Sequence, residues 1–214
     1  GDIDALIAAA KEIQAAAPGR GWDAAQDKAA LDKMKAAWIK GRVAYEHVEG
    51  ALAPLFPEID ASMDARYEDF LDELGGKGDP NAFDGEGVTG MHAIERILWS
   101  TEVPAAVTQR ESTELETKGY NAPAFPANEA EAANFSGKLV QRLIDDAQKL
   151  QSEWKPQKID VSGAFTGLVS LMNEQLEKVN KASSSEEESR YSQRTMADIR
   201  ANLEGTENVY KLFQ

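Results

Sequence analysis

The 214-residue sequence contains no cysteine and only two histidines, His47 and His92. Without cysteine the chain forms neither disulfide bonds nor thiolate ligands, so any metal site must use oxygen ligands and imidazole. The zinc-protease pattern His-Glu-x-x-His is excluded because Ala93 follows His92 and Arg96 stands where the second histidine is needed. A ferritin-like di-iron centre is excluded in its usual form, since neither histidine follows a glutamate at the required spacing. No nucleophile triad, P-loop or dinucleotide-binding pattern occurs either.

Long apolar runs and basic residues are also scarce. No stretch of about 18 apolar residues occurs, so we expect no membrane span. The 23 Lys and Arg stand against 37 Asp and Glu, which gives a net charge of -14. Nucleic acid and anionic membrane surfaces are therefore not expected as partners, whereas cations and basic proteins are. The chain starts at Gly1-Asp2 without a signal peptide, as expected for a mature protein whose signal has been removed.

Apolar residues at intervals of three and four dominate the sequence, a pattern typical of amphipathic helices. We expect helices over about 3–16, 23–53, 57–74, 135–153, 161–182 and 186–213, with an interruption near Gly41 in the second. A loop over 75–90 should lead into another helix, with Thr89 as its N-cap. The proline-rich stretch 104–131 predicts a connector with a short helix inside it. It would separate an N-terminal helical half, 1–103, from a C-terminal helical half, 132–214.

The segment 90–99 combines possible metal ligands with the pattern of a strongly apolar helix. His92 and Glu95 are separated by about one helical turn, and Glu95 falls within the arc of apolar side chains. A carboxylate that faces a core needs a cation, a hydrogen-bonding partner or a cleft, because its burial without one is costly. The pair is therefore a candidate ligand set, or alternatively a buried hydrogen-bonded pair that fixes two helices.

Another helix also carries polar residues on its apolar face. Glu46 and Glu49 lie on the side of Trp38, next to Arg42, while His47 points the opposite way and is expected to face solvent. Their spacing repeats that of the pair in the helix of residues 90–99, so two helices each offer two ligands. The alternative is that both glutamates are surface charges paired with the arginine.

Asp60 and Asp64 stand four apart beside the apolar face of the helix that begins at Pro57. Acidic pairs at this spacing repel each other unless a cation or an arginine lies between them. Each is either an exposed charge or a further ligand. One imidazole with several carboxylates makes a site that suits iron, manganese, calcium or zinc.

Together these motifs resemble those of the imelysin-like family. The segment Gly90-Met91-His92-Ala93-Ile94-Glu95 matches the Gly-x-His-x-x-Glu motif of that family. Residues 38–49, which contain Tyr-Glu-x-x-Glu, resemble a second helix of the family. Residues 59–66 resemble the Asp-x-x-Ile-Asp-x-Arg segment of the family, with Met63 at the position of the isoleucine. Residues 194–205 are similar to its last helix. The resemblance covers about 5–214 and is specific because several motifs keep their order.

The resemblance implies an all-α fold of two antiparallel helical-bundle halves, with the site in a cleft between helices. Members include bacterial iron-uptake proteins that are exported to the periplasm or held on the cell surface, and this chain is similar to the shorter forms without a cupredoxin domain. Iron, as Fe²⁺ or Fe³⁺, is the implied ligand, with zinc or calcium as alternatives. The implied metal-binding residues are His92, Glu95, Glu46, Glu49, Asp64 and Asp60.

The implied function is that of a metal-binding, non-catalytic component of an iron-uptake system. It would deliver iron to an inner-membrane permease, with a periplasmic haem peroxidase as a further partner. One alternative is an imelysin-like metallopeptidase, in which a bound metal activates water. Another is a polysaccharide- or partner-binding module that stacks sugars on Trp22 and Trp154, since Trp38 and Trp99 are expected in the core.

Overall fold

The computed structural model describes residues 1–71, 78–158, 160–182 and 184–213. These residues form helices joined by turns and contain no β-strand, which confirms the all-α class. The α-helices are α1 (Asp2–Ala16), α2 (Lys28–Glu46), α3 (Glu49–Leu55), α4 (Pro57–Asp64), α5 (Tyr67–Leu71), α6 (Gly90–Leu98), α7 (Ala105–Arg110), α8 (Glu129–Asn134), α9 (Val140–Trp154), α10 (Val161–Lys181) and α11 (Thr195–Lys211). Short π-helical turns over Glu111–Leu115 and Phe135–Leu139 extend α7 and join α8 to α9. Within the described ranges, no helix is both long and apolar enough to cross a membrane.

The core lies where α1, α2, α6 and α9 pack together, with α4 against α6 and α9. Leu6 and Ile13 of α1, Met34 of α2 and Leu143 of α9 are almost fully buried there. The apolar stripe of each helix faces its neighbours, as its periodicity of three and four residues predicts. Burial of these stripes supplies the main stabilisation of the helices, since isolated helices of this length are marginal in water.

A tryptophan pair sets the position of α2 relative to α6. The rings of Trp38 and Trp99 meet edge to face with centroids 5.3 Å apart, and both are buried as expected. The Trp38 indole Nε1 donates a hydrogen bond to the carbonyl oxygen of Met91 at 2.8 Å. This bond satisfies the only polar atom of a fully buried indole and ties α2 to the first turn of α6.

Helix α10 packs against α3 and α11, and α11 packs against α2 and α3. The inward face of α10 carries Leu168 and Leu171, but then continues with Gln175 and Lys178, which are also buried. Its attachment to the protein therefore depends in part on polar contacts. Next to this face, α10 leaves six large apolar side chains exposed, Val161, Phe165, Val169, Met172, Leu176 and Val179.

Helices from both sides of the connector share neighbours. α9 follows the connector yet packs against α1, α4 and α6, and α11 packs against α2. The expected division into halves at 104–131 stays a prediction. The short helix expected within that stretch is present as α7.

The expected interruption near Gly41 is wrong, because the helix instead breaks at His47 and Val48. A Cβ at Gly41 would lie 3.2 Å from the Cβ of Ala9, so this glycine permits the close approach of α1 and α2 within an unbroken helix. His47 is partly exposed, with its ring nitrogens 3.3 Å from Asp2 and 3.4 Å from Glu204. The break separates Glu46, the last residue of α2, from α3.

Two other predicted helices differ from the structure. The helix expected over 57–74 ends at Asp64 and restarts at Tyr67, while its predicted end at Leu74 lies outside the described residues. The last helix begins at Thr195 and not at 186, because the described residues before it form turns. Their side chains are drawn into buried ion pairs, as the Glu188 pair with Arg42 at 2.9 Å illustrates. Helical periodicity therefore does not govern this segment.

Gly90 allows α6 to begin directly against the end of α4. Its φ of +82° is in the left-handed region, and a Cβ there would lie 2.2 Å from the carbonyl oxygen of Met63. Thr89 is at the N-cap position as expected, but its hydroxyl donates to the carbonyl of Ser62 at 2.9 Å and does not cap the helix. The close contact brings Asp64 next to His92, two residues into α6.

Substitution Gly90→Ala should destabilise the protein by about 3 kcal/mol, because it combines a left-handed backbone with a clash against a main-chain carbonyl. The control Gly137→Ala places its Cβ in open space and should cause no loss. Urea denaturation at equilibrium measures both. Equal stability of the two variants would contradict the role given to Gly90.

Candidate metal centre

Three side chains from separate parts of the chain converge on one point. Asp64 ends α4, His92 is in the first turn of α6, and Glu188 belongs to the turn before α11. One donor atom from each lies within 4.8 Å of the others. His92 Nε2 is 3.3 Å from Asp64 Oδ1 and 3.8 Å from Glu188 Oε1. These residues, called the triad below, offer one imidazole and two carboxylates to a metal ion.

Glu95 orients the imidazole of the triad. Its Oε2 lies 3.0 Å from His92 Nδ1, and its Oε1 accepts hydrogen bonds from the backbone and hydroxyl of Ser192 at 2.8 and 2.6 Å. The Nε2 atom of His92 is left buried without a hydrogen bond of good geometry to any described residue. A carboxylate on one ring nitrogen and a ligand position on the other is the usual arrangement around a metal-binding histidine. Glu95 thus faces His92 and Ser192, on the opposite side of the ring from the triad oxygens.

The charge on His92 follows from its neighbours. Burial opposes protonation, but the carboxylates of Asp64 and Glu188 raise the pKa of His92 to about 10. Burial also opposes ionisation of Asp64, whose pKa is nevertheless lowered by Arg42 and by His92. At neutral pH without metal, His92 is therefore an imidazolium that is ion-paired with Asp64 on the Nε2 side and with Glu95 on the Nδ1 side. A metal ion at the triad would replace the proton on Nε2.

Arg42 is the central cation of the site and is 1% exposed. Its guanidinium forms ion pairs with Glu46 and Asp64, with Glu188 at 2.9 Å, and with Asp198 at 3.8 Å. The planar guanidinium can hold several carboxylates in fixed directions because its donors form a rigid fork. It thereby orients two of the three triad residues.

Glu46 and Glu49 lie beside the triad, in contact with a buried lysine. Lys178 Nζ is 3.2 Å from Glu46 and 3.0 Å from Glu49, and Asn202 Nδ2 donates to Glu49 at 2.7 Å. Burial raises the pKa of Glu46 well above its ordinary value, although Arg42 and Lys178 act against the shift. The structure thus places these two predicted ligands in ion pairs near the triad.

Asp60 has a different partner. It accepts a hydrogen bond from the hydroxyl of Tyr45, and its pKa is raised to about 7 by burial, against the effect of that bond. Within the described residues, the groups that could hold a metal ion do not include it.

Sequence reasoning missed Glu188 and Lys178. Glu188 is the third of the consecutive acids at 186–188, a run that is typical of a solvated turn and has no helical periodicity. Lys178 falls on the buried face of α10 only four residues after Glu174, a spacing that equally describes a surface ion pair. Neither pattern carries a local signal for burial.

A cavity of about 100 Å³ adjoins the triad. Its walls are Asp64, Arg66, Glu174, Glu177, Lys178, Lys181 and Glu188. The side chain of Glu177 is 57% exposed, so the walls extend from the buried triad to the protein surface. The cavity provides a polar route between the triad and solvent.

Negative charge is in excess in this buried network. Among the described residues, six carboxylates stand against three basic groups. The carboxylates are Glu46, Glu49, Asp64, Glu95, Glu188 and Asp198, and the basic groups are Arg42, Lys178 and His92. Such an excess must be relieved by protons or by a cation. The donor set therefore fits a metal ion in both chemistry and charge.

Comparison with known families identifies the chain. The model of the imelysin family, also named peptidase family M75, matches residues 2–214. The chain belongs to the imelysin family. This confirms the resemblance drawn from the order of the motifs, and the helical structure agrees with it.

Several curated relatives of this imelysin-family protein are iron uptake system components named EfeO. Those of Escherichia coli strain K12 and of Shigella flexneri are each 27% identical over 184 residues, which is 86% of this chain. The aligned region is 38% of the length of each relative, so the chain spans well under half of the curated proteins that it matches. No solved structure matches the chain.

Substitution Arg42→Met should lower the free energy of unfolding by about 4 kcal/mol at pH 7, because it leaves several buried carboxylates without their cation. Arg42 lowers the folded-state pKa of Asp64, so this stabilisation is present above the unfolded pKa near 4 and is lost as the pH falls. The difference in the free energy of unfolding between the variant and wild type should therefore become smaller below about pH 4. Arg142→Met, which removes a half-exposed arginine paired with Asp146, should change stability by less than about 1 kcal/mol. Unchanged stability of the Arg42 variant at pH 7 would disprove the assignment of Arg42 as the central cation of the site.

Proposed function

We propose that this imelysin-family protein binds an iron ion at Asp64, His92 and Glu188 and serves as the metal-carrying component of an iron-uptake system. The observation that supports this most directly is the buried Nε2 of His92, which faces two carboxylates while Glu95 holds the other ring nitrogen. Mixed imidazole and carboxylate donors suit iron, and also accept zinc or manganese.

A carrier must release its metal as well as bind it. Three protein ligands leave other coordination positions to water or to an acceptor, unlike the closed four-ligand shell of structural zinc sites. The cavity lined by Glu174, Glu177 and Lys181 adjoins the ligands and reaches solvent. The net charge of -14 would also raise the local concentration of cations.

The location and the partners of the protein form part of the same proposal. It would act outside the inner membrane, in the periplasm or at the cell surface, and pass iron to an inner-membrane permease, with a haem peroxidase as a further component. The support is the relationship to EfeO proteins, whose name assigns them to an iron uptake system.

The other candidate functions have less support. A metallopeptidase needs a carboxylate base near its metal-bound water, but Glu46 and Glu49 next to the triad are held by Arg42 and Lys178. A sugar-binding role for Trp22 is opposed by its burial against Phe135, with ring centroids 4.8 Å apart. The hydrogen-bonded pair of His92 and Glu95 exists, but it leaves the second imidazole nitrogen available for a metal.

Adjacent glutamates provide a matched test of the triad. Glu188→Gln should weaken Fe²⁺ binding at least about tenfold, because it removes one of the two negatively charged donors of the triad. Glu187→Gln is the control: this neighbouring glutamate is also buried, but it is bonded to Gln193 and lies outside the triad. Anaerobic titration calorimetry on protein without a histidine tag gives both affinities, with Zn²⁺ and Ca²⁺ titrations for comparison.

The two glutamate variants should therefore differ clearly in their affinity for Fe²⁺. Loss of Fe²⁺ binding in the Glu188 variant alone supports the triad. Wild-type protein that binds no Fe²⁺, or equal binding by both variants, would rule out the proposed site.

A further inference from the structure

The exposed large apolar side chains of the described residues are concentrated on one face of the protein. Eleven of the twelve belong to α10, to α11 or to the two residues directly after α11. The twelfth, Leu55, lines the same surface cavity as Leu212 and Phe213, between α3, α10 and α11. Soluble monomers rarely expose so large an apolar patch, and patches of this kind mark interaction surfaces. We call the exposed apolar surface of α10 and α11 the helix-pair face.

The α10 part of the helix-pair face has the spacing of a coiled-coil seam. This seam consists of Phe165, Val169, Met172, Leu176 and Val179. Its residues follow one another at intervals of four, three, four and three, which is the a/d pattern that packs one helix against another. Met172 and Leu176 are 53% and 64% exposed, so no helix of the described residues covers the seam. The flanking e and g positions within the seam carry no charge that would repel a second helix with the same pattern.

The α11 part is a row with the same spacing and with two charges in it. This row consists of Met196, Arg200, Leu203, Glu207 and Tyr210, all exposed. It meets the seam at one end, where the ring centroids of Tyr210 and Phe165 are 6.4 Å apart. Arg200 has no ion-pair partner among the described residues, and the side chain of Glu207 is 62% exposed. The two opposite charges therefore stand one on each side of the middle of the row.

We propose that the helix-pair face is the interface of a homodimer, in which a second copy of this chain packs antiparallel about a two-fold axis. Charge complementarity selects this partner. When the axis passes through the middle of the α11 row, Arg200 of each copy lies opposite Glu207 of the other, and both charges are paired twice by symmetry. An interface of this kind is isologous, because the same patch is used by both copies.

One two-fold axis serves both helices of the pair. The middle of the α10 seam is Met172, and the middle of the α11 row is Leu203. Gln175 and Asn202, which are close to these midpoints along their helices, are joined by a hydrogen bond of 2.6 Å. The two midpoints therefore lie at about the same height, so an axis that pairs the charges of α11 also centres the seam of α10 on its copy.

The helix-pair face is large enough for a stable dimer. At half exposure its eleven side chains present roughly 900 Å² of surface per copy, whereas a standard specific interface buries about 800 Å² per partner. The α10 seam from Phe165 to Val179 extends over about 21 Å of helix. The paired face would be mainly apolar with a few compensated charges, as in homodimer interfaces.

A charge reversal and its compensated double variant test the antiparallel pairing. Arg200→Glu should weaken dimerisation at least about tenfold, because it places two glutamates opposite each other at two symmetric positions. Combining Arg200→Glu with Glu207→Arg restores both pairs in reverse and should recover most of the lost affinity. Lys149→Glu is the control, since it makes the same charge change at an exposed position on α9. Sedimentation equilibrium measures the four proteins, with a dimer expected at twice the monomer mass of 23.3 kDa.

A measurement on wild-type protein tests the position of the interface without any substitution. Met172 and Met196 are exposed on the helix-pair face, whereas Met34 is fully buried in the core. Peroxide oxidation followed by peptide mass spectrometry should modify Met172 at least about five times more slowly in the dimer than in diluted monomer, because the partner covers its sulfur. Met34 should react slowly at both concentrations.

The homodimer is supported if Arg200→Glu alone dissociates it, the double variant restores it, and Met172 is protected only at high concentration. It is overturned if wild type stays a monomer with Met172 equally reactive at every concentration, which would leave the face to a different partner. Equal dimerisation of the Arg200 and Lys149 variants would also overturn it. The substituted positions lie outside the triad, so none of these outcomes depends on the proposed iron binding.

Discussion

The buried guanidinium group of Arg42 is the interaction on which the rest of the site depends. It contacts Asp64 from α4, Glu46 from its own helix, and Glu188 from the turn before α11. Without this cation, carboxylates from three parts of the chain could not be buried together, because each would repel the others or take up a proton. The arginine therefore lets an apolar helical bundle contain a polar centre.

Two packing features bring that centre to its position. The Trp38 indole bonds to Met91, which aligns α2 with α6, and Gly90 lets α6 start against the end of α4. Asp64 and His92 therefore meet without a long loop between their helices. The third residue of the triad, Glu188, lies on a turn, where the direction of its side chain depends on ion pairs and not on helical geometry. Helix packing therefore fixes Asp64 and His92, and ion pairing fixes Glu188.

The helices and the inward direction of Glu46, His92 and Glu95 could be predicted, because periodicity reports which face of a helix is buried. Glu188 could not, since a run of three acids in a turn has no periodicity and its burial depends on Arg42, far away in sequence. The break after Glu46 was also missed, because Gly41 is the residue that usually signals one. The position of Glu188 depends on an ion pair with a residue distant in the sequence, which local sequence patterns do not report.

In the proposed function the triad would bind a metal ion, and Arg42 pairs with the carboxylates of Asp64 and Glu188 in the metal-free protein. Anomalous X-ray scattering from crystals loaded with iron locates the ion directly. We expect a single strong peak about 2.0–2.3 Å from His92 Nε2 and from oxygens of Asp64 and Glu188. A peak at Glu46 and Glu49 without His92, or no peak within the buried network, would contradict the assignment of the triad.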